Sequence, residues 1–205
     1  MKNKMQTLLF DFDGVIVDTF GVSYRSMRTV VPNPPDEDGY RSWFNGNVYD
    51  NEDVRLDGIR VDENDPFFKI YTPLLMEQEP VSGMVEVIKE LHSDHRMVVI
   101  SSTISSPIKD YLDKHNLSRH FDKIYGGDVH KSKAAKIKMV FTEFKVGSDG
   151  CIFVTDTLGD MREAAKMGIK SIGVTWGFQK LESLQKGNPI AIANSPNELI
   201  ALLKK

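Results

Sequence analysis

The sequence predicts an α/β fold, a parallel sheet flanked by helices with a small helical segment inserted after the first strand. Three observations lead there. Short apolar runs at Leu8-Leu9-Phe10, Met97-Val98-Val99-Ile100 and Cys151-Ile152-Phe153-Val154 are too brief for helices and suit strands buried on both faces. Between them, apolar residues recur at helical spacing, the alternation that a parallel sheet with crossover helices requires. The runs also end in polar residues, at positions that a parallel sheet brings to one edge, where ligands bind.

The first strand, Leu8 to Phe10, ends at Asp11-Phe12-Asp13-Gly14, where two carboxylates stand one residue apart and a glycine breaks the pattern. Such a pair is unfavourable unless a cation or a proton relieves the repulsion. An ordinary polar strand end is the other reading of this motif alone. An EF-hand loop is excluded, because Val15 and Val22 stand where a ligand oxygen and the bidentate Glu would be needed. From residue 20 to residue 79 the chain is rich in Asp, Asn, Pro and Tyr. Val22, Met27, Val30 and Val31 suit an amphipathic helix stopped by Pro32 and Pro34-Pro35. Trp43-Phe44, then Val54, Leu56 and Ile59, then Phe67, Phe68, Ile70, Tyr71, Leu74 and Leu75 are also spaced like helices. Pro80-Val81-Ser82-Gly83 reads as the linker back. The expected division is a core of residues 1–19 and 80–205 and a helical insertion of residues 20–79.

Beyond the linker, Met84, Val85, Ile88 and Leu91 mark a helix, and the strand Met97–Ile100 ends at Ser101-Ser102-Thr103. A helix with Pro107 near its start and Ile108, Tyr111 and Leu112 on one face follows. Lys123-Ile124-Tyr125 is a short strand stopped by Gly126-Gly127, and Ile137, Val140, Phe141 and Phe144 form the next helical stripe. The strand Cys151–Val154 ends at Thr155-Asp156, and the helix with Met161, Ala164 and Ala165 is closed by Gly168. Ser171 to Thr175 is one more strand. The last helix opens with Ser195-Pro196-Asn197-Glu198, a capping box with Pro in the first turn.

Length and composition bound the function. The 205 residues suit one α/β domain carrying an insertion and can bury roughly 70% of the unfolded surface. A formal net charge of −3 argues against nucleic acid as a partner, and an anionic substrate would need a local site. Cys151 is the single cysteine, so no intrachain disulfide is expected and a reducing, cytoplasmic setting fits. Neither a secretory signal nor a run of about 18 apolar residues is read, so no membrane partner is expected.

Four strand ends carry polar residues in sequence order: Asp11 and Asp13; Ser101 and Ser102; Lys131 and Lys133; Asp156 and Asp160. Taken singly, the serines read as caps, the lysines with Lys136 and Lys138 as a solvated helix face, Asp156 as the cap of the following helix and Asp160 as a residue of its first turn. Taken together on one sheet edge, they converge on one crevice.

At this point the sequence resembles the haloacid dehalogenase-like hydrolase superfamily, in its capped phosphatase branch with phosphoglycolate phosphatase-like members. Asp11 to Thr19 resembles the family's nucleophile loop, Val98 to Ser102 its second motif, Lys131-Ser132-Lys133 the place of its lysine, and Asp156-Thr157-Leu158-Gly159-Asp160 its acidic fourth motif. Thr155 stands where a glycine is usual and Gly159 where an Asn is common; neither removes a carboxylate. Lys131 and Lys133 compete for one role, and Lys133 is favoured because a helix starts soon after it. The resemblance implies a Rossmann-like sheet whose insertion is a helical cap. It implies Asp11 as nucleophile and Asp13 as general acid and base. Ser101, Ser102, Lys133 and Gly14 would hold the phosphoryl group, and Asp11, Asp13 (through its carbonyl), Asp156 and Asp160 would hold Mg²⁺. Asp13 also speaks against carbon–halogen cleavage, which needs no proton on the leaving group.

The expected activity is hydrolysis of a small phosphorylated metabolite by a monomer or homodimer. Cap residues Tyr24, Arg25, Arg28, Arg41, Trp43, Arg55 and Arg60 are candidate substrate contacts. A phosphomutase is the alternative enzyme, and a receiver-like phosphoryl-binding module the alternative of another class.

Overall fold

The computed structural model of the chain describes residues 5–50 and 61–204. Among these residues six strands make one parallel sheet: β1 (Thr7–Phe10), β2 (Arg96–Ile100), β3 (Lys123–Tyr125), β4 (Cys151–Thr155), β5 (Lys170–Val174) and β6 (Ala191–Ala193). Their spatial order is β3-β2-β1-β4-β5-β6, so the winding reverses between β1 and β4. That reversal opens a crevice at the carboxyl ends of β1 and β4. The 2-1-3-4-5 order of flavodoxin-like receivers is a different winding.

The helices are α1 (Phe20–Val30), α2 (Glu37–Ser42), α3 (Pro66–Leu75), α4 (Met84–Leu91), α5 (Ser105–Lys114), α6 (Lys133–Phe144), α7 (Leu158–Lys166), α8 (Leu181–Gln185) and α9 (Pro196–Leu203). Alternation along the strands divides the core. Leu8, Phe10, Met97, Val99, Val154 and Ile172 pack on α4, α5 and α9. Leu9, Val98, Ile100 and Phe153 face the other way, onto Ile137 and Val140 of α6 and Ala164 of α7. With both faces covered, every strand residue of β1 is buried, which explains the unbroken apolar run. Cys151 is buried in the second cluster.

The insertion is tied to the sheet as well as to itself. Met27, Tyr40 and Trp43 gather Phe20, Tyr24, Phe44 and Phe67 into a separate aromatic cluster. Phe68, Tyr71 and Leu75 of α3 instead enter the cluster that contains Leu8 and Phe10. On the return, Val81 N–H donates to the Ile16 carbonyl at 3.0 Å.

The structure departs from the expected pattern at several points. The buried face of α1 is Ser23, Ser26 and Met27, with Val22 and Val30 only half-buried. The serines go inside because their hydroxyls are satisfied locally: Ser26 Oγ donates to the Val22 carbonyl at 2.9 Å, and Ser23 Oγ pairs with the Tyr40 hydroxyl. Trp43-Phe44 lies in a short 3-10 helix (Trp43–Asn45) rather than an α-helix. Val54, Leu56 and Ile59 lie outside the described residues. At α9, Ser195 Oγ accepts from Glu198 N–H, but the Glu198 carboxylate bonds Asn194 N–H, one residue before the reciprocal partner of a capping box. Two elements, α8 and β6, have no counterpart in the sequence pattern. Ala191-Ile192-Ala193 is a weak strand former that takes its form by pairing with β5 at the sheet edge. No helix among the described residues is long and apolar enough to cross a membrane.

Leu9 is wholly buried between β2 and β4. Leu9→Ala should lower the unfolding free energy by about 2–5 kcal/mol, measured by urea denaturation at constant m-value.

Candidate active site

The crevice at the β1–β4 reversal is built from the backbone outward. Asp11 N–H donates to the Val154 carbonyl at 2.9 Å, so pairing with β4 continues one residue past the end of β1. The chain then curls tightly: Ile16 N–H bonds the Phe12 carbonyl at 2.9 Å and Gly14 N–H the Val17 carbonyl at 2.8 Å. Gly14 has φ +72°, and a Cβ there would fall 2.0 Å from Asp156 Oδ2. A Cβ on Gly177 would fall 2.3 Å from the same oxygen. Asp156 at the end of β4 is thus wedged between two bare backbones. Its Oδ2 accepts from Phe178 N–H at 2.6 Å, while its buried Oδ1 accepts no hydrogen bond.

Lys133 opens α6 and is 3% exposed. Its ammonium lies between two carboxylates, 2.7 Å from Asp11 Oδ2 and 2.6 Å from Asp160 Oδ2. Asp160, in the first turn of α7, also accepts from Thr155 Oγ1 at 2.7 Å. Glu163, one turn further, accepts from Ser132 Oγ at 2.7 Å and Lys133 N–H at 3.2 Å, and so fixes the start of α6 against α7. The sequence reading missed Glu163; its i, i+3 relation to Asp160 on one helix face was the available signal.

Burial and charge divide the acids. Burial raises the Asp11 carboxyl well above 3.8 despite the neighbouring Lys133, with Asp160 and Asp156 adding to the rise. Burial also pushes Asp156 up to about 7, against the Phe178 N–H bond. For Asp160 burial is overcome by Lys133 and the hydrogen bonds it receives, which hold it below 3.8. For Lys133 burial is outweighed by Asp11 and Asp160, and its proton is held more tightly than usual.

Asp13 faces a different environment, a cradle of hydroxyls. Thr19 Oγ1 donates to Oδ1 at 2.7 Å, and the Tyr71 hydroxyl of α3 donates to the same oxygen. Thr103 Oγ1 donates to Oδ2 at 2.7 Å and Ser101 Oγ more weakly at 3.4 Å. Tyr71 and Thr103 were not singled out from the sequence. Thr103 belongs to the same polar strand end as Ser101, whereas Tyr71 carried only an apolar helical spacing. Ser101 is buried and also accepts from Thr103 N–H at 3.0 Å, while Ser102 lines the crevice.

The two competing lysines are separated. Lys131 is exposed and lies 5.8 Å from the Tyr49 ring centre, away from the carboxylates that Lys133 bonds. Lys136 is the larger correction. It is wholly buried, not solvated, and its ammonium donates to the Ser101 and Gly126 carbonyls, joining the ends of β2 and β3. Burial, with the Lys133 charge nearby, lowers its amine to about 7.

Above these groups is a cavity of about 560 Å³, lined by Asp11, Asp13, Lys133, Asp156 and Asp160 below and by Met27, Tyr40, Trp43, Phe44, Phe67 and Phe68 of the insertion. Of the candidate cap contacts, Trp43 lines it. Arg41 donates to the Phe178 carbonyl with its guanidinium 3.5 Å over Phe20, Arg28 lies over Tyr24, and Tyr24 donates to the Pro35 carbonyl at 3.1 Å. Arg25 lies in a separate surface recess with Asp18, and Arg55 and Arg60 lie outside the described residues.

The donor set fits a hard divalent cation. Three carboxylates converge with one ammonium, and the Asp156 Oδ1 lone pairs are buried without a donor, the condition that a cation relieves. Among the described residues no three His, Cys, Asp or Glu side chains form a metal cage by themselves, so a backbone oxygen would have to complete the set. The Asp13 side chain is turned to its hydroxyls.

A family model described as haloacid dehalogenase-like hydrolase matches residues 8–174. A phosphoglycolate phosphatase of Synechococcus elongatus is 23% identical over 208 residues, 96% of each chain. Another, of Vibrio parahaemolyticus, is 25% identical over 122 residues; the match spans 58% of this chain and about half of that relative's length, 54%. The solved structure of a haloacid dehalogenase-like family protein from Streptococcus pneumoniae superposes with a TM-score of 0.76 at 22% identity, over 97% of this chain and 98% of the other.

A pH dependence follows from Asp156. Its folded value of about 7 lies above the ordinary 3.8, so folding favours the protonated form. That contribution is complete below about pH 3.8 and is lost as the pH rises through about 7. Asp11 acts in the same direction. In metal-free protein the thermal midpoint should therefore fall from about pH 4 towards about pH 7. Asp156→Asn should flatten that fall, and a divalent cation taken up by the crevice should raise the wild-type midpoint most at the upper end.

Proposed function

This chain belongs to the haloacid dehalogenase-like hydrolase family, and we propose that it is a magnesium-dependent phosphatase acting on a small phosphomonoester through an aspartyl-phosphate on Asp11. One observation carries the reading: residues from three distant parts of the chain, Asp11, Lys133 and the Asp156/Asp160 pair, meet beneath a cavity large enough for a substrate. The phosphatase names of full-length relatives point the same way. With the reading go a cytoplasmic location, a small phosphorylated metabolite as partner, and residues 20–79 as a cap over the site.

Asp11 attacks phosphorus with a carboxylate oxygen and the alcohol leaves, which splits one difficult hydrolysis into two easier displacements. Lys133 has three N–H donors, two of them used on Asp11 and Asp160, and the third is available to a phosphoryl oxygen. Asp13 protonates the departing alcohol and then takes a proton from the water that cleaves the acyl phosphate. Its hydroxyl cradle holds it on the cavity side of β1 while leaving both carboxylate oxygens hydrogen-bonded. Lys136 steadies the Ser101 carbonyl, and with it the loop that presents Ser101, Ser102 and Thr103. A magnesium ion held by Asp11, the Asp13 carbonyl and Asp156, with Asp160 behind, would supply the positive charge that lets a carboxylate approach a phosphate dianion.

The test is inorganic phosphate release from a panel of small phosphoesters with and without magnesium. Release should require the metal, and a wild-type protein inactive on every ester would overturn the reading. Asp11→Asn should abolish turnover while the circular dichroism spectrum stays unchanged. Asp13→Asn should reduce kcat by about 10²–10⁴, with both formation and breakdown of the phosphoenzyme slowed in rapid-quench measurements.

A further inference from the structure

The chemistry of the leaving group is written in the upper half of the cavity. An aromatic wall starts at the catalytic floor: Phe178 lends its N–H to Asp156, and its ring meets Phe44 edge-on with centroids 5.0 Å apart. Phe44 meets Tyr40 at 5.3 Å, and Tyr40 meets Trp43 at 5.4 Å, both edge to face. All four rings line the same cavity. The wall is braced by guanidiniums that each donate an N–H to its backbone, Arg41 to the Phe178 carbonyl and Arg162 to the Asn45 carbonyl at 2.6 Å. On the remaining side the cavity meets acids, Asp65 (7% exposed) and Glu163. Among the described lining residues Lys133 is the single cation, so a second anionic group on the substrate would meet rings, carboxylates and neutral polar groups such as Asn47 and Asn64, where burying a charge is unfavourable without a cationic partner. An aryl or alkyl face would find edge-to-face partners and lose its hydration. The volume, about 560 Å³, also exceeds what a phosphoryl group with a two-carbon acid would fill.

Resting on the phosphatase reading above, we infer that the substrate is a phosphomonoester of an uncharged, largely apolar alcohol, with the ring or alkyl chain seated against Phe44, Trp43 and Phe178. Glycolate and a second phosphate are the leaving groups it disfavours.

The experiment compares kcat/KM for 2-naphthyl phosphate, methyl phosphate, 2-phosphoglycolate and pyrophosphate on the wild-type protein with magnesium. It is paired with calorimetric binding of phenylphosphonate and phosphonoacetate. The naphthyl ester should lead each anionic substrate by about tenfold or more, and phenylphosphonate should bind more tightly than phosphonoacetate. Phe44→Leu and Phe44→Ala should shrink the naphthyl-to-methyl ratio, through KM, by about tenfold for the alanine; because the readout is a ratio, partial loss of folded protein does not mimic it. Turnover with phosphoglycolate or pyrophosphate ahead overturns this inference and leaves the phosphatase reading standing. No turnover of any ester, with phenylphosphonate still preferred, overturns the phosphatase reading and keeps the apolar preference. No turnover with phosphonoacetate preferred overturns both.

Discussion

The ammonium of Lys133, buried between the carboxylates of Asp11 and Asp160, is the contact on which the rest of the structure turns. Two carboxylates brought out of water at one sheet edge repel each other, and neither could remain charged there alone. The lysine makes their approach tolerable and in doing so joins the end of β1 and the first turn of α7 to the start of α6. Helix α6 is in turn held by Ser132 and Glu163, so the charge that balances the acids is itself fixed in place. Without that single ammonium the two buried carboxyls could not both stay ionised.

One ammonium does not balance three acids. The structure answers the excess negative charge by favouring protons on Asp11 and Asp156, both raised by burial, while Asp160 stays ionised beside the lysine. A divalent cation answers the same excess without protons, and the unpartnered Asp156 Oδ1 is where the need is greatest. Gly14 and Gly177 belong to this balance, because any side chain there would displace the Asp156 carboxylate.

The second structural theme is the join between the sheet edge and the helical insertion. Asp13 takes hydrogen bonds from Thr103 of the sheet side, from Thr19 at the entrance to α1, and from Tyr71 of α3. The carboxylate read as acid and base is therefore positioned by both parts at once. Tyr71 belongs to a helix whose neighbouring Phe68 and Leu75 share the main core, so α3 is anchored against the sheet rather than only against α1.

The sequence by itself determined the alternation of strands and helices, the two acidic strand ends, and the order in which acids, hydroxyls and lysines appear. These are legible because period, run length and strand-end polarity are local properties of the chain. It also carried Lys133 as the favoured lysine, on the start of a helix. What it left undecided was every feature that depends on which distant surfaces meet. Lys136 reads as a solvated residue until β2 and β3 close over it, and Tyr71 as an ordinary core ring until α3 brings its hydroxyl to Asp13. The edge strand β6 exists only because β5 offers it a partner. Burial, hydrogen-bond partners and the charge balance of a crevice are sums over residues remote in the chain, and only the tertiary structure performs them.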